Sequence, residues 1–522
     1  MTTFTRKNAW NNNGTFDNTD LLWYAKAVAV MQSRSLDDPT SWWFFAAIHG
    51  QYVTNDTNSG TPPPPDFPNW ADIPAQPNVP TSPLPASDAQ KLYWDQCQHG
   101  TWFFPPWHRG YLYAIENILR EIIVGLKGPG DWALPYWDYF GQGGQNLQYF
   151  IPPAFTLQHL PDNSVNPLFV TARYGPDGNG KIFIPIPPVS QACQVDTKDY
   201  TGTRPDYYGG GTTGFENSFN LTGALEGNPH NPVHTRVGGN SISSPYSGLM
   251  SDPGTAALDP VFYLHHCNID RMWAAWNKAG NNNPPDMDWL KGPIARADRK
   301  FAMPKPDKTV WDFIPEMVDS ISQLNYTYED LTLGTAASLV SKNVKRMRTL
   351  ANVKNIPEMS SDSQPELIGA NSIPLTLNDT GARTNVALDT KGWKTVSRSL
   401  KNVSEKLSAD TSSDVTIPDE VYLQLEGIKG TADANSYTVS VNHQYAGDIS
   451  LFGLRKASMK DSHHGGAGLT VRLDITSIVD QLHLEDNIDI NSLDVLIQPS
   501  GPTAKNGEVT VDRVSIYRKG QK

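Results

Sequence analysis

The sequence predicts a multidomain α+β protein. A mainly α-helical domain around a four-helix bundle comes first, and an all-β sandwich or barrel follows. Three observations carry this expectation. Apolar residues recur at three- and four-residue spacing in the N-terminal half, and at alternate positions from Glu420 onward. Between them, after Tyr328, the pattern loosens. The 522 residues, 38% hydrophobic with 15 Trp, suffice for a substantial core and more than one domain. The expected divisions are 1–335 for the helical domain, 336–415 for a linker or extended segment, and 416–522 for the β domain.

Each element has its own signal. Leu21 to Gln32 and Trp42 to Gln51 are aromatic-rich helical patches, and residues 61–87 read as Pro-rich coil. From His108, the residues Leu112, Ile115, Leu119, Ile122, Ile123 and Leu126 form an apolar stripe that would bury against a bundle partner. Residues 153–220, rich in Gly, Pro and Asn, read as loops over the bundle. His230 and His234 are one helical turn apart, and Pro229 and Pro232 fit only if the helix starts there. His266 precedes a helix, Asn268 to Asn277, with Ile269, Met272, Trp273 and Trp276 inward. The Ser-, Thr-, Asp- and Asn-rich residues 355–415 suggest the linker. Alternation at Val421, Leu423 and Leu425, at Tyr437, Val439 and Val441, and at Leu469, Val471 and Leu473 joins Val495 to Ile497 and Val509 to Tyr517. Together these predict about seven strands.

Composition limits the function classes. With 42 basic and 54 acidic residues, the formal charge of −12 and the lack of a basic run argue against nucleic acid and anionic membranes as partners. The apolar runs are too short to span a bilayer. Three cysteines give no disulfide framework, and the first residues lack a secretory signal pattern, so a cytoplasmic protein is expected.

The histidines are the strongest functional signal. Seven of twelve fall in two sets, His49, His99 and His108, then His230, His234 and the pair His265–His266. Imidazole suits Cu, Zn, Fe and Ni. A di-iron bundle would take Glu and Glu-x-x-His ligands, and a mononuclear zinc hydrolase needs one site rather than two. The all-histidine sets therefore point to a pair of copper ions.

Two runs carry a family resemblance. His99-Gly-Thr-Trp-Phe-Phe-Pro-Pro-Trp-His108-Arg-Gly-Tyr-Leu and Asp259-Pro-Val-Phe-Tyr-Leu-His-His266-Cys-Asn-Ile-Asp270-Arg-Met-Trp resemble the copper signatures of the tyrosinase, catechol oxidase and hemocyanin family. The resemblance spans roughly residues 1–330. It implies a type-3 copper oxidase with His49, His99 and His108 on one copper, His230, His234 and His266 on the other, and O2 as co-substrate. Cys97-Gln98-His99 resembles the family's Cys-x-His, which implies a thioether joining Cys97 to His99. Phe104, His265, Met250 and Asp270 would stand beside the ligands or line the substrate pocket. Tyr326-Thr-Tyr328 resembles the motif closing the catalytic domain, with Arg6 as its partner.

Glu226 and Asn231 match a water-holding pair that accompanies monophenol hydroxylation in some members. An ionised Glu226 would favour removing the phenol's proton. The expected activity is thus ortho-hydroxylation of small monophenols and oxidation of o-diphenols to o-quinones. The alternatives are a catechol or o-aminophenol oxidase without monophenolase activity and, more remotely, a hemocyanin-like oxygen carrier. Where plant members place a bulky aromatic gate, only Tyr246 and Met250 are large. The β domain resembles the shielding domain of latent members, with Leu451 or Phe452 as the side chain that plugs the pocket.

Overall fold

The computed structural model describes residues 3–50, 78–80, 82–94, 96–141, 147–186, 188–202, 207–213, 221–293, 300–333, 346, 365–408, 418–459, 466–485, 490–505 and 507–520. In the helical domain, α1 (Thr19–Gln32), α2 (Trp42–Gly50), α3 (Ser87–Tyr93), α4 (Phe104–Gly125), α5 (Cys193–Asp196), α6 (Asn231–Gly238), α7 (Val261–Lys278) and α8 (Met287–Leu290) follow one another. Asn18 caps α1 by accepting the Asp20 N–H. The stripe expected from His108 is the buried face of α4 from Leu112 to Ile123, whereas Leu126 lies past the helix end and is exposed; α4 begins four residues before His108 because Pro105 and Pro106 fit its first turn.

Aromatic residues join the four central helices. Trp42 of α2 packs edge-on against Tyr263 of α7 (5.0 Å), and Phe45 meets Tyr111 of α4 (5.4 Å). The Tyr24 hydroxyl of α1 donates to the Pro260 carbonyl at 2.9 Å, so its buried polar end is satisfied. Strand β1 (Phe4–Arg6) pairs in parallel with β4 (Tyr326–Tyr328), bringing the two ends of this domain together. The hairpin β2–β3 (Phe301–Pro304, Val310–Phe313) lies against α4 at Gly110, where an added Cβ would stand 2.2 Å from the Phe313 ring.

The C-terminal domain corrects two expectations. Of the linker expected at 336–415, residues 336–345, 347–364 and 409–415 lie outside the described residues. Residues 366–408 are not a linker. They form β5 (Glu366–Ala370), β6 (Leu375–Leu377), β7 (Ala382–Leu388) and the amphipathic helix Thr390–Ser408. Their polar residues misled because β7 exposes one face and buries Val386 on the other. With β8 (Glu420–Gly430), β9 (Ser436–Val441), β10 (Gln444–Ser450), β11 (Leu469–Asp474), β12 (Ser492–Pro499) and β13 (Val509–Lys519), they make a sheet of nine strands where about seven were expected. The order is β10-β9-β12-β7-β5-β13-β8-β11, with β6 also on β13. Gly447 of β10 packs against Leu473 of β11, so the edge strands approach and the sheet curls toward a barrel.

This domain grips α6. The Arg236 guanidinium donates to Asp448 (3.1 Å) and to the Ser500 carbonyl (3.1 Å), and the Asn240 amide donates to Asn435 (2.9 Å). The Ser450 hydroxyl donates to the Asn231 carbonyl (3.0 Å), and Ser436 donates to Thr235 (3.1 Å). Among the described residues, no helix is long and apolar enough to cross a membrane.

Candidate metal centre

Four helices and one loop deliver the histidines. His49 ends α2, His108 lies in the first turns of α4, and His99 comes from the extended segment between α3 and α4. His230 and His234 flank the start of α6, while His265 and His266 lie inside α7, which begins at Val261 rather than at the expected Asn268. The helix starts earlier because Pro260 and the Asp259 carboxylate, which accepts the Val261 N–H at 2.9 Å, cap it there.

Two buried groups result. His49, Cys97, His99 and His108 form one, and His230, His234, His265 and His266 the other. They face each other, with the His108 and His266 rings stacked at 4.5 Å and 7°. Burial lowers all seven imidazole pKa values, those of His49 and His230 to about 3. The rings are therefore neutral and able to ligate.

Hydrogen bonds aim the lone pairs. The Nδ1 of His49 lies 2.9 Å from the Pro253 carbonyl, that of His108 2.9 Å from Phe104, and that of His234 2.8 Å from Met250. A carbonyl can only accept, so each Nδ1 carries the proton and each Nε2 a free lone pair. His230 does the same toward the Asn231 amide oxygen at 2.7 Å. The Nε2 atoms of His234 and His230 lie 3.1 Å apart, those of His234 and His266 3.4 Å, and those of His49 and His108 3.4 Å. Nitrogens sharing a tetrahedral ion at about 2.0–2.1 Å would stand about 3.3 Å apart, so the residues fit metal ions. The donor set, imidazole with no carboxylate, suits copper.

The other expected positions divide. Cys97 Sγ lies 3.4 Å from His99 Nδ1 and 3.6 Å from His108 Nε2. The Phe104 ring touches both groups, at 4.5 Å from His108 and 4.7 Å from His230. His265 is a member of the second group, with its Nδ1 3.4 Å from the Tyr139 hydroxyl and its Nε2 buried without a hydrogen-bond partner. Met250 is buried and acts through its carbonyl, whereas Tyr246 is 45% exposed. Asp270 lies away from the pocket. It binds Arg109 (2.6 Å), Arg6 (3.2 Å) and the hydroxyls of Tyr326 and Tyr328, because one turn beyond His266 it faces the closing β1–β4 pair.

Glu226 and Asn231 do not share a hydrogen bond here. The Gly100 N–H donates to both Glu226 oxygens (2.9 and 3.0 Å), while Asn231 is committed to His230. Burial pushes the Glu226 carboxyl up to about 8, against the pull of that N–H. Phe452, from the loop after β10, stacks on His234 at 4.0 Å and 17°, and meets His230 and His99 edge-on at 5.6 and 5.8 Å. Leu451 beside it is buried, with its N–H on the Asn435 carbonyl.

The sequence reading missed Phe262. Its ring lies 4.7 Å from His49 and 4.2 Å from His266 and so touches both groups, as Phe104 does. The signal was available, since Phe104 precedes His108 by four and Phe262 precedes His266 by four.

The common central domain of tyrosinase matches residues 39–279, and a domain of unknown function matches 364–519. The chain is 31% identical to the tyrosinase HcTyr1 of Hahella sp. (strain CCB-MM4) over 511 residues, 95% of this chain and 96% of that one. It is 22% identical to a chloroplastic polyphenol oxidase of Malus domestica, covering 94% of this chain and 75% of the relative. The fold matches that of latent apple tyrosinase with a TM-score of 0.57 at 20% identity, over 100% of this chain and 98% of that one.

Proposed function

Because this chain belongs to the tyrosinase and polyphenol oxidase family of copper enzymes, we propose that it ortho-hydroxylates monophenols and oxidises o-diphenols to o-quinones, and that its C-terminal domain keeps it latent. The observation that carries this reading is the pair of facing histidine groups with an aromatic side chain stacked on His234. In this assignment His49, His99 and His108 hold one copper, and His230, His234 and His266 the other. The bound pair supplies O2 activation and takes up the phenol's electrons.

The protein's own residues do the rest. The Nδ1 bonds of His49, His108, His230 and His234 fix each ring's tautomer and direction. Phe104 and Phe262 keep water from between the groups. Phe452 occupies the place where a phenol ring would stack on His234, so the substrate reaches the pocket only when that side chain is displaced or removed. A thioether between Cys97 and His99 would lock one ring and remove a thiol from oxidation. Its formation replaces the Cys97 S–H and one His99 ring C–H by a C–S bond, a two-electron oxidation with O2 as the oxidant, so the intact mass of the chain exposed to copper and air would be lower by two hydrogen masses. An unchanged mass refutes the bond.

Glu226 is the proposed base. Pushed up to about 8, this carboxyl keeps its proton at neutral pH and acts through its ionised form, which is a stronger base than an ordinary carboxylate and closer to a phenol at about 10. Replacing Glu226 by Gln should lower monophenol turnover about 100-fold while catechol turnover falls far less. The separate commitments of Glu226 and Asn231 favour a second reading, a catechol or o-aminophenol oxidase. Catechol turnover by the parent without monophenol turnover would decide for it, while equal losses on both substrates in the variant would remove the special role of Glu226.

A further inference from the structure

The turn from Leu249 to Thr255 touches both histidine groups. The Met250 carbonyl holds His234 at 2.8 Å, and three residues on the Pro253 carbonyl holds His49 at 2.9 Å. One short backbone segment therefore sets a ring in each group. The helices carrying those rings press on the turn through glycines. At Gly50, directly after His49, an added Cβ would lie 2.1 Å from the Pro253 oxygen. At Gly238, one turn beyond His234, it would lie 2.1 Å from Ser251 Oγ and 2.5 Å from its N. Both contacts are far inside van der Waals separation, so the spacing of helix, turn and helix admits no slack.

The centre of the turn is Asp252. Its carboxylate accepts the Gly254 N–H at 2.7 Å, and its carbonyl accepts those of Thr255 (3.0 Å) and Ala256 (2.9 Å). The Thr255 hydroxyl donates across the turn to the Leu249 carbonyl at 2.7 Å. The carboxylate bond to the Gly254 N–H fixes the Pro253–Gly254 peptide plane, and so the direction of the Pro253 carbonyl, while the Met250–Ser251 plane is set separately by the Ser251 N–H on the Gly248 carbonyl at 3.0 Å. Arg455 of the C-terminal domain reaches the same carboxylate at 3.7 Å.

We propose that Asp252 is a positioning residue for the copper of the first histidine group, acting through the Pro253 carbonyl that holds His49. This rests on the ligand assignment above. Loss of the Asx bond lets that carbonyl turn, the His49 imidazole loses its orientation, and the copper it helps to hold is bound less tightly. Partners that orient a ligand in this way are worth about 10- to 100-fold in metal affinity.

The test is copper retention by the full-length holoprotein in excess EDTA, with bound copper counted after gel filtration and tryptophan emission recorded in parallel. Asp252→Ala should release one copper about tenfold faster than the parent and the other at the parental rate, with unchanged emission. Asp252→Asn keeps the acceptor for Gly254 and should retain copper as the parent does. If Asp252→Ala does not fold, Asp252→Glu, whose longer side chain misplaces the acceptor, should accelerate release in the same way. Release of both coppers at the parental rate from the folded variants, equal acceleration of both, or an Asn variant as leaky as the Ala variant would overturn the proposal. His49→Ala and His234→Ala are the separate control, since each should lack one copper. If they bind as much as the parent, the ligand assignment itself fails.

Discussion

Asp270 carries a large share of the helical domain's closure. Its carboxylate gathers Arg109, Arg6, Tyr326 and Tyr328 in the buried interior, and both arginines hold it below the usual carboxylate range against the cost of burial. Each guanidinium also lies over a ring, Arg109 over Trp273 at 3.6 Å and Arg6 over Tyr326 at 3.8 Å. Replacing Asp270 by Ala leaves Arg109 without its counter-charge and Arg6 with Glu116 alone, which should cost about 3–5 kcal/mol in urea unfolding. A loss under about 1 kcal/mol would show that the rings and Glu116 suffice. At this scale the sequence was legible where chemistry forces a residue type, as at the seven histidines, Phe104 and Phe452. It was less so for Asp270, whose partners come from more than 50 residues away, for Glu226, bound to the Gly100 backbone, and for Asn231, committed to the neighbouring His230 ring. The carbonyls of Met250 and Pro253 left no side-chain signal at all.

Helices and strands were legible according to how they are buried. The stripe of α4 announced a helix with one buried face, and β8, β9 and β13 announced themselves by alternation. Helix α7 is buried around nearly its whole circumference from Val261 to Trp276, so its first two turns show no stripe and its start was placed late. The opposite failure occurred at β5 to β7, whose exposed positions gave the composition of a linker. The short α6 is the element on which the domains depend, since it carries His234 on one side and presents Thr235, Arg236 and the Asn231 carbonyl to the C-terminal domain.

Across the whole molecule, burial of seven neutral histidines and of four raised carboxyls, two of them raised to about 8, gives the metal-free chain a defined pH response. Between about 3 and 6.5 the unfolded chain binds protons at histidines that stay neutral when folded, so stability rises with pH. Glu226 and Asp433, raised by burial to about 8, act in the other direction. Asp433 faces Asp252 and Arg455 at the domain boundary. The folded chain keeps their protons up to about 8, whereas the unfolded chain releases them near 4, so their deprotonation lowers stability. Seven histidines outweigh the raised carboxyls below 6.5, and the melting temperature of the metal-free chain should peak near pH 6.5. A melting temperature still climbing from pH 6.5 to 8.5 would contradict this.

The domains meet at the histidine pocket, and the account turns on whether Phe452 closes it. The most direct measurement is oxygen uptake by the copper-loaded full chain and its Phe452→Ala variant, with 4-methylphenol and 4-methylcatechol. The account predicts slow uptake by the parent and at least a tenfold rise in the variant on both substrates, without proteolysis. A variant no faster than the parent on either substrate would contradict it.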